Sequence, residues 1–80
     1  MKIRLRLFAN ARDLAGFAEK TVDLQHPRAS EVFEYLASVN PEFREWSRSI
    51  RLAVNRRYVD DAHPLQEGDE VAVIPPVSGG

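Results

Sequence analysis

The two most apolar strand patterns in the sequence lie at its two ends. Residues 2–7 alternate basic with aliphatic side chains, which is the two-residue period of a half-buried strand. Residues 70–74 read Glu-Val-Ala-Val-Ile and form the second apolar strand, after the turn signal Gly68-Asp69. We expect these two strands to be neighbours at the centre of a sheet, where they would run parallel. This pairing is the strongest restriction on how the chain folds.

Between these strands one helix dominates the pattern. Apolar residues at positions 29, 32, 33, 36 and 39 follow the period of an amphipathic helix, which Asn40-Pro41 ends. The shorter patterns predict, in order, a helical turn at 10–16, a strand at 21–24, an irregular turn at 42–49, and strands at 52–54 and 58–59.

This order of elements predicts an α+β domain with a mixed four- to five-stranded sheet packed on one long helix. With its first and last strands paired in parallel, such a domain has the β-grasp, or ubiquitin-like, fold. We therefore predict a β-grasp domain over residues 1–74 and an extended, flexible tail over residues 75–80.

Composition excludes several functions. The chain of 80 residues has 11 Lys and Arg against 12 Asp and Glu, whereas nucleic-acid binding needs a basic excess. It has no cysteine, hence no disulfide, thiolate metal ligand or cysteine nucleophile. His26 and His63 lack metal-ligand spacing, so we expect no metal site. No apolar stretch is long enough for a membrane span, and we expect a cytoplasmic protein.

The last six residues read Pro-Pro-Val-Ser-Gly-Gly. The prolines fix φ and stiffen the chain where it leaves the sheet, and six extended residues reach about 20 Å. Terminal glycines add no side-chain bulk, so the tail suits a narrow channel in which its carboxylate meets a reagent. We predict that Gly80 is the reacting group. The predicted threading segment consists of Pro75, Pro76, Val77, Ser78 and Gly79. The alternative is a frayed end without function.

A carboxylate is a poor electrophile until ATP adenylates it, after which a sulfur or amine nucleophile can displace AMP. Glycine hinders neither step. The sequence contains no recognisable catalytic set or phosphate-binding loop. We therefore expect the domain to be the part that partner proteins bind, and to supply no catalytic side chains.

A second feature is an apolar patch beside the tail. If the neighbouring strand residues face the core, Phe8, Tyr58 and Ile74 point outward. Such side chains near the root of the tail would anchor a partner, unless edge loops cover them. The predicted basic rim of this patch consists of Arg51, Arg56 and Arg57. Basic groups there would favour an acidic partner surface.

Several motifs resemble one family. They are, in order, Leu7-Phe8-Ala9, Arg12-Asp13-Leu14-Ala15-Gly16, Ala53-Val54-Asn55, His63-Pro64-Leu65, Gly68-Asp69-Glu70-Val71-Ala72 and the Pro-Pro-Val-Ser-Gly-Gly ending. Together they span essentially the whole chain and resemble the small subunits of molybdopterin synthase, a family of ubiquitin-like sulfur carriers. The ending is the most specific motif, since Gly-Gly alone also ends ubiquitin and the thiamine sulfur carrier. Arg56-Arg57 departs from the family, where neutral residues are common.

The resemblance implies a cycle. An E1-like enzyme would adenylate Gly80 with ATP, and a sulfur donor enzyme would convert it to a thiocarboxylate. The tail would then enter the large synthase subunit, where sulfur passes to cyclic pyranopterin monophosphate, also called precursor Z. Two rounds would build the dithiolene of molybdopterin. The implied assembly is a heterotetramer of two large and two small subunits, without a permanently bound cofactor, and the large subunit would hold the catalytic side chains.

Three alternatives stay open. The chain could carry sulfur for thiamine or for tRNA thiolation, modify proteins by isopeptide bonds through Gly80, or be a β-grasp binding module with an inert tail. Lys2 and Lys20 are the two lysines, which offer few sites for a polymeric tag.

Overall fold

The structure is a computed structural model that describes residues 1–46 and 48–75. The elements in this part of the chain are β1 (Lys2–Leu7), α1 (Ala9–Ala15), β2 (Glu19–Asp23), α2 (Ser30–Val39), α3 (Phe43–Trp46), β3 (Arg51–Val54), β4 (Arg57–Val59) and β5 (Glu70–Ile74). The strands form one five-stranded sheet in the spatial order β2-β1-β5-β3-β4. β1 and β5 run parallel, and the other neighbouring pairs run antiparallel. The predicted mixed sheet of the β-grasp type is confirmed.

The core lies between the helices and one face of the two central strands. Parallel register sets Leu5 beside Val71 and Leu7 beside Val73, and these four side chains are buried. They pack in one cluster with Leu36 of α2. Burial of such aliphatic side chains is worth about 1.5–3 kcal/mol each, so the pairing of the chain's two ends carries much of the stability.

The long helix differs from the prediction at its end. Ala29, Val32 and Leu36 are buried as expected, but Val39 is 37% exposed. At 100° per residue, Val39 lies about 80° round the helix from Ala29 and is the last helical residue, so it falls at the margin of the apolar stripe. The small side chain of Ala37 is buried instead.

The short elements follow the predicted positions closely. α1 ends at Gly16, whose φ of 86° is left-handed and whose N–H donates to the carbonyl of Arg12. Phe43 is buried and its ring meets that of Trp46 edge-on, with centroids 5.8 Å apart, so this aromatic pair anchors the irregular turn. In residues 1–46 and 48–75, no helix has the length and hydropathy needed to cross a membrane.

Candidate docking site

The root of the tail lies where β5 ends. Ile74 is the last residue of β5, and Pro75 follows it half-buried. The other predicted tail residues, Pro76, Val77, Ser78, Gly79 and Gly80, lie outside the described residues. The threading segment and the reactive carboxylate therefore stay predictions.

The sheet face opposite the core gathers side chains around this root. Val71 and Val73 are fully buried, so Ala72 and Ile74, which alternate with them, point to the other face. The register sets Arg6 of β1 beside Ala72. It also sets Arg51 of β3 beside Ile74. The far face of β5 is thus flanked by an arginine on each side.

Phe8 extends this face past the end of β1. Its φ of −125° and ψ of 155° are extended, so it continues the alternation of the strand and is 41% exposed. Because Leu7 pairs with Val73, one further step brings Phe8 level with Ile74. Ala9, with a φ of 49°, then turns the chain into α1. The backbone thereby leaves Phe8 beside the root of the tail.

Tyr58 lies on the same face two strands away. It pairs with Ala53 of β3, which in turn pairs with Ala72 of β5, and it is 63% exposed. The structure therefore brings Phe8, Ile74 and Tyr58 to one side of the sheet, with two of them exposed and Ile74 half-buried. We call the surface formed by Phe8, Tyr58, Ala72 and Ile74, with Arg6 and Arg51, the docking face.

The two arginines of the docking face lie on its aromatic rings. The guanidinium carbon of Arg6 is 5.5 Å from the ring centroid of Phe8. That of Arg51 is 5.1 Å from the ring centroid of Tyr58. Each contact is a cation–π interaction, worth about 0.5–1 kcal/mol at an exposed site. Arg6 also approaches the Glu70 carboxylate, with 3.5 Å between Nη1 and Oε1.

The other two predicted rim residues lie away from the root of the tail. Arg56 lies in the turn between β3 and β4, and Arg57 pairs with Val54. Val54 in turn pairs with Val71, which is three residues before Ile74 on β5 and therefore about 10 Å away along the strand. The hairpin turn places this arginine pair at the opposite end of β3 from Arg51. Of the predicted basic rim, Arg51 therefore lies beside the root of the tail, whereas Arg56 and Arg57 lie about 10 Å further along the sheet.

Paired charges occupy the β1–β2 side of the same sheet face. Arg4 donates to the carboxylate of Glu19 at 2.6 Å, and this hydrogen bond, followed by the charge of Arg4, lowers the pKa of Glu19. The N-terminal ammonium donates to Asp23 at 2.8 Å, which lowers the pKa of Asp23 in the same way. Among the described residues, no three His, Cys, Asp or Glu side chains are grouped as metal ligands.

Comparison with known proteins identifies the family. The sequence model of the ThiS family matches residues 5–80, from β1 to the last residue of the tail. The chain belongs to the ThiS family. It is 34% identical over 83 residues to the molybdopterin synthase sulfur carrier subunit of Chlamydomonas reinhardtii, with 100% of each chain covered.

Solved structures agree with this membership. A Pyrococcus furiosus protein described as a candidate molybdopterin converting factor, subunit 1, has a TM-score of 0.84 and 31% identity, covering 96% of this chain and 99% of its own. The small archaeal modifier protein 1 of Haloferax volcanii has a TM-score of 0.82 and 25% identity, with 100% of both chains covered. The resemblance to ubiquitin-like sulfur carriers is confirmed by these comparisons.

Arg6 is a docking-face residue that the sequence reasoning missed. It stands two residues before Phe8, so the strand alternation that placed Phe8 outward also places Arg6 on that face. The alternation alone marks Arg6 as a polar strand residue and does not indicate its contact with Phe8. The place of Ala72 between Arg6 and Ala53 is evident only from the order of the strands in the sheet.

Proposed function

We propose that this ThiS-family chain is the sulfur carrier subunit of molybdopterin synthase. The observation that carries the proposal is the 34% identity to a protein of that name over the full length of both chains. The Pro-Pro-Val-Ser-Gly-Gly ending lies inside the region matched by the family.

In the proposed cycle, an oxygen of the Gly80 carboxylate attacks the α-phosphorus of ATP on an E1-like enzyme, and pyrophosphate leaves. A sulfur nucleophile at the oxidation level of sulfide then adds to the carbonyl carbon, and AMP leaves, which produces a thiocarboxylate. This sulfur is donated to cyclic pyranopterin monophosphate, and water restores the carboxylate. We propose that the cycle runs in the cytoplasm, where ATP is available.

The contribution of this chain is presentation of the tail. β5 lies in the middle of the sheet with a neighbouring strand on each side, so it holds Pro75 in a fixed position. The absence of a Cβ on Gly79 and Gly80 lets a narrow channel admit the tail and leaves the carbonyl carbon accessible. Catalytic side chains belong to the partner proteins in this scheme.

The proposed partner for sulfur transfer is the large synthase subunit. The Chlamydomonas and Pyrococcus relatives are both named as subunits, and subunits work in assemblies. The docking face surrounds the root of the tail, so a partner that encloses the tail also covers Phe8 and Ile74. We propose two large and two small subunits per assembly, with separate docking to the E1-like enzyme and the sulfur donor.

A protein modifier is the second candidate function. The Haloferax neighbour is named as a modifier protein, and its structural similarity to this chain has a TM-score of 0.82. In that role an amine of a target protein, instead of sulfide, would displace AMP from the adenylate of Gly80. The first steps of the two candidate functions are the same, so the nucleophile decides between them.

Intact-mass analysis tests the proposal. The chain is incubated with the E1-like enzyme of its own genome, ATP and sulfide, and a chain with one residue appended after Gly80 is the control. The proposed function predicts a mass gain equal to the exchange of one oxygen for one sulfur, in the unmodified chain alone. An unchanged mass would indicate that the tail is inert. Covalent adducts with other proteins in place of the thiocarboxylate would favour the protein-modifier function.

A further inference from the structure

We propose that Arg51 determines the specificity of docking by binding a carboxylate on the partner surface. This inference rests on the proposed function, since it concerns the partner that receives the tail. It assigns to one residue of the docking face a role that the family membership does not provide. The chemistry required of the partner is an acidic side chain set within an apolar surface.

The charges of this sheet face distinguish Arg51 from its neighbours. Arg4 has Glu19 at 2.6 Å, and Arg6 has Glu70 at 3.5 Å. Within residues 1–46 and 48–75, no carboxylate lies at ion-pair distance from Arg51. Its contact there is the ring of Tyr58, 5.1 Å from the guanidinium carbon to the centroid. Arg51 is therefore a cation held in place by an aromatic ring and open to an anion.

The position of Arg51 makes its burial on docking hard to avoid. Its Cα pairs with that of Ile74, the residue before Pro75, and its side chain reaches Tyr58 on the far side. A partner that encloses the tail and contacts both Ile74 and Tyr58 must cover the guanidinium between them. A guanidinium taken out of water without an acceptor carries a large desolvation penalty. The partner must therefore supply an acceptor at this point.

A carboxylate is the acceptor that fits best. A guanidinium presents its N–H donors in a planar fork that a carboxylate accepts through two parallel hydrogen bonds. The contact with Tyr58 already restricts the long side chain, so less conformational entropy is lost when the pair forms. A partner without a carboxylate there is disfavoured, which is how a charged residue in an apolar interface provides specificity.

The test measures binding to the large synthase subunit encoded in the same genome. Arg51→Gln removes the charge, and Arg51→Lys keeps the charge but not the planar fork. Arg28→Gln is the matched control, because Arg28 is also exposed and lies before α2, away from the docking face. Substitutions at exposed positions barely change stability, which melting curves verify for each variant. Affinities are measured by calorimetry at low and at physiological salt.

We expect Arg51→Gln to weaken binding by about 30-fold or more and to reduce its dependence on salt. Arg51→Lys should bind with intermediate affinity, and Arg28→Gln should match the unmodified chain. Equal affinities for Arg51→Gln and Arg28→Gln would overturn the inference. If Arg51→Gln proves unstable, Arg51→Lys decides, since unchanged affinity there also overturns it. Failure of the proposed function is a separate result, in which the unmodified chain neither binds the large subunit nor delivers sulfur to it.

Discussion

Leu7 and Phe8 are neighbours in sequence that serve different purposes in this structure, and replacing each with alanine separates folding from docking. Leu7 is buried against the core, with 2% of its surface exposed, whereas Phe8 is 41% exposed on the docking face. Leu7→Ala should lower the free energy of unfolding by about 2–5 kcal/mol, because it leaves a cavity in the core. It should leave the Kd of the folded protein for its partner unchanged.

Phe8→Ala should change both quantities by smaller, comparable amounts. Complete burial of a phenylalanine is worth about 1.5–3 kcal/mol. About three fifths of Phe8 is already covered in the free protein, given its 41% exposure, so truncation should destabilise the fold by about 0.9–1.8 kcal/mol. Docking covers the rest, worth about 0.6–1.2 kcal/mol, so truncation should also raise Kd about three- to eightfold.

Urea unfolding gives the stability of each variant, and titration with the large synthase subunit gives Kd after correction for the folded fraction. The reasoning fails if Phe8→Ala leaves Kd unchanged while lowering stability as much as Leu7→Ala. That result would place Phe8 in the core and remove it from the docking face.

Three further predictions follow from the tail, the β3–β4 turn and the charges of the outer face. Deleting Gly80, or appending one residue to it, should abolish sulfur transfer and leave the melting temperature unchanged; activity in an extended chain that mass analysis shows to be untrimmed would contradict this. Arg56 has a φ of 73°, so Arg56→Gly should stabilise the fold by about 1 kcal/mol in urea unfolding, whereas Arg57→Gly in the adjacent strand should destabilise it. A lower urea midpoint for Arg56→Gly would show that the turn is unstrained. The folded pKa of Glu19 lies below its ordinary value of 4.5, so its pairing with Arg4 stabilises the fold above that pH and is lost as the pH falls through the folded pKa. Arg4→Gln should therefore reduce the decrease in the free energy of unfolding that occurs as the pH falls below 4.5. An unchanged decrease in urea titrations would show that the ion pair does not stabilise the protein in solution.

The pairing of the chain's two ends could be predicted because alternation and burial leave a direct trace in sequence. Aliphatic residues at every second position of β1 can all be buried together only in a strand, because alternate side chains of a strand lie on one face. The valines of β5 give that strand a matching apolar face, which makes it the expected neighbour of β1. Asn55 marks the hairpin turn, because asparagine tolerates the left-handed conformation that it adopts there, with a φ of 50°.

Features that depend on the ends and edges of elements could not be predicted as well. Val39 fits the helical period, but it is the last residue of α2 and lies at the margin of the apolar stripe, so the pattern alone does not separate it from the buried positions. Arg51 and Arg57 are close in sequence, but the hairpin separates them along the strands. Their different distances from the tail could be determined only from the register of β3 with β4 and β5. The contact between Arg51 and Tyr58 likewise appears only when β3 and β4 are paired.

Sulfur delivery by the purified protein tests the central claim most directly. The chain is converted to its thiocarboxylate and mixed with precursor Z and the large synthase subunit from the same genome, with the unconverted carboxylate form as control. The account predicts dithiolene formation that consumes thiocarboxylate and is not seen in the control. Absence of dithiolene, together with efficient delivery of sulfur to a thiazole synthase or covalent attachment to other proteins, would contradict it.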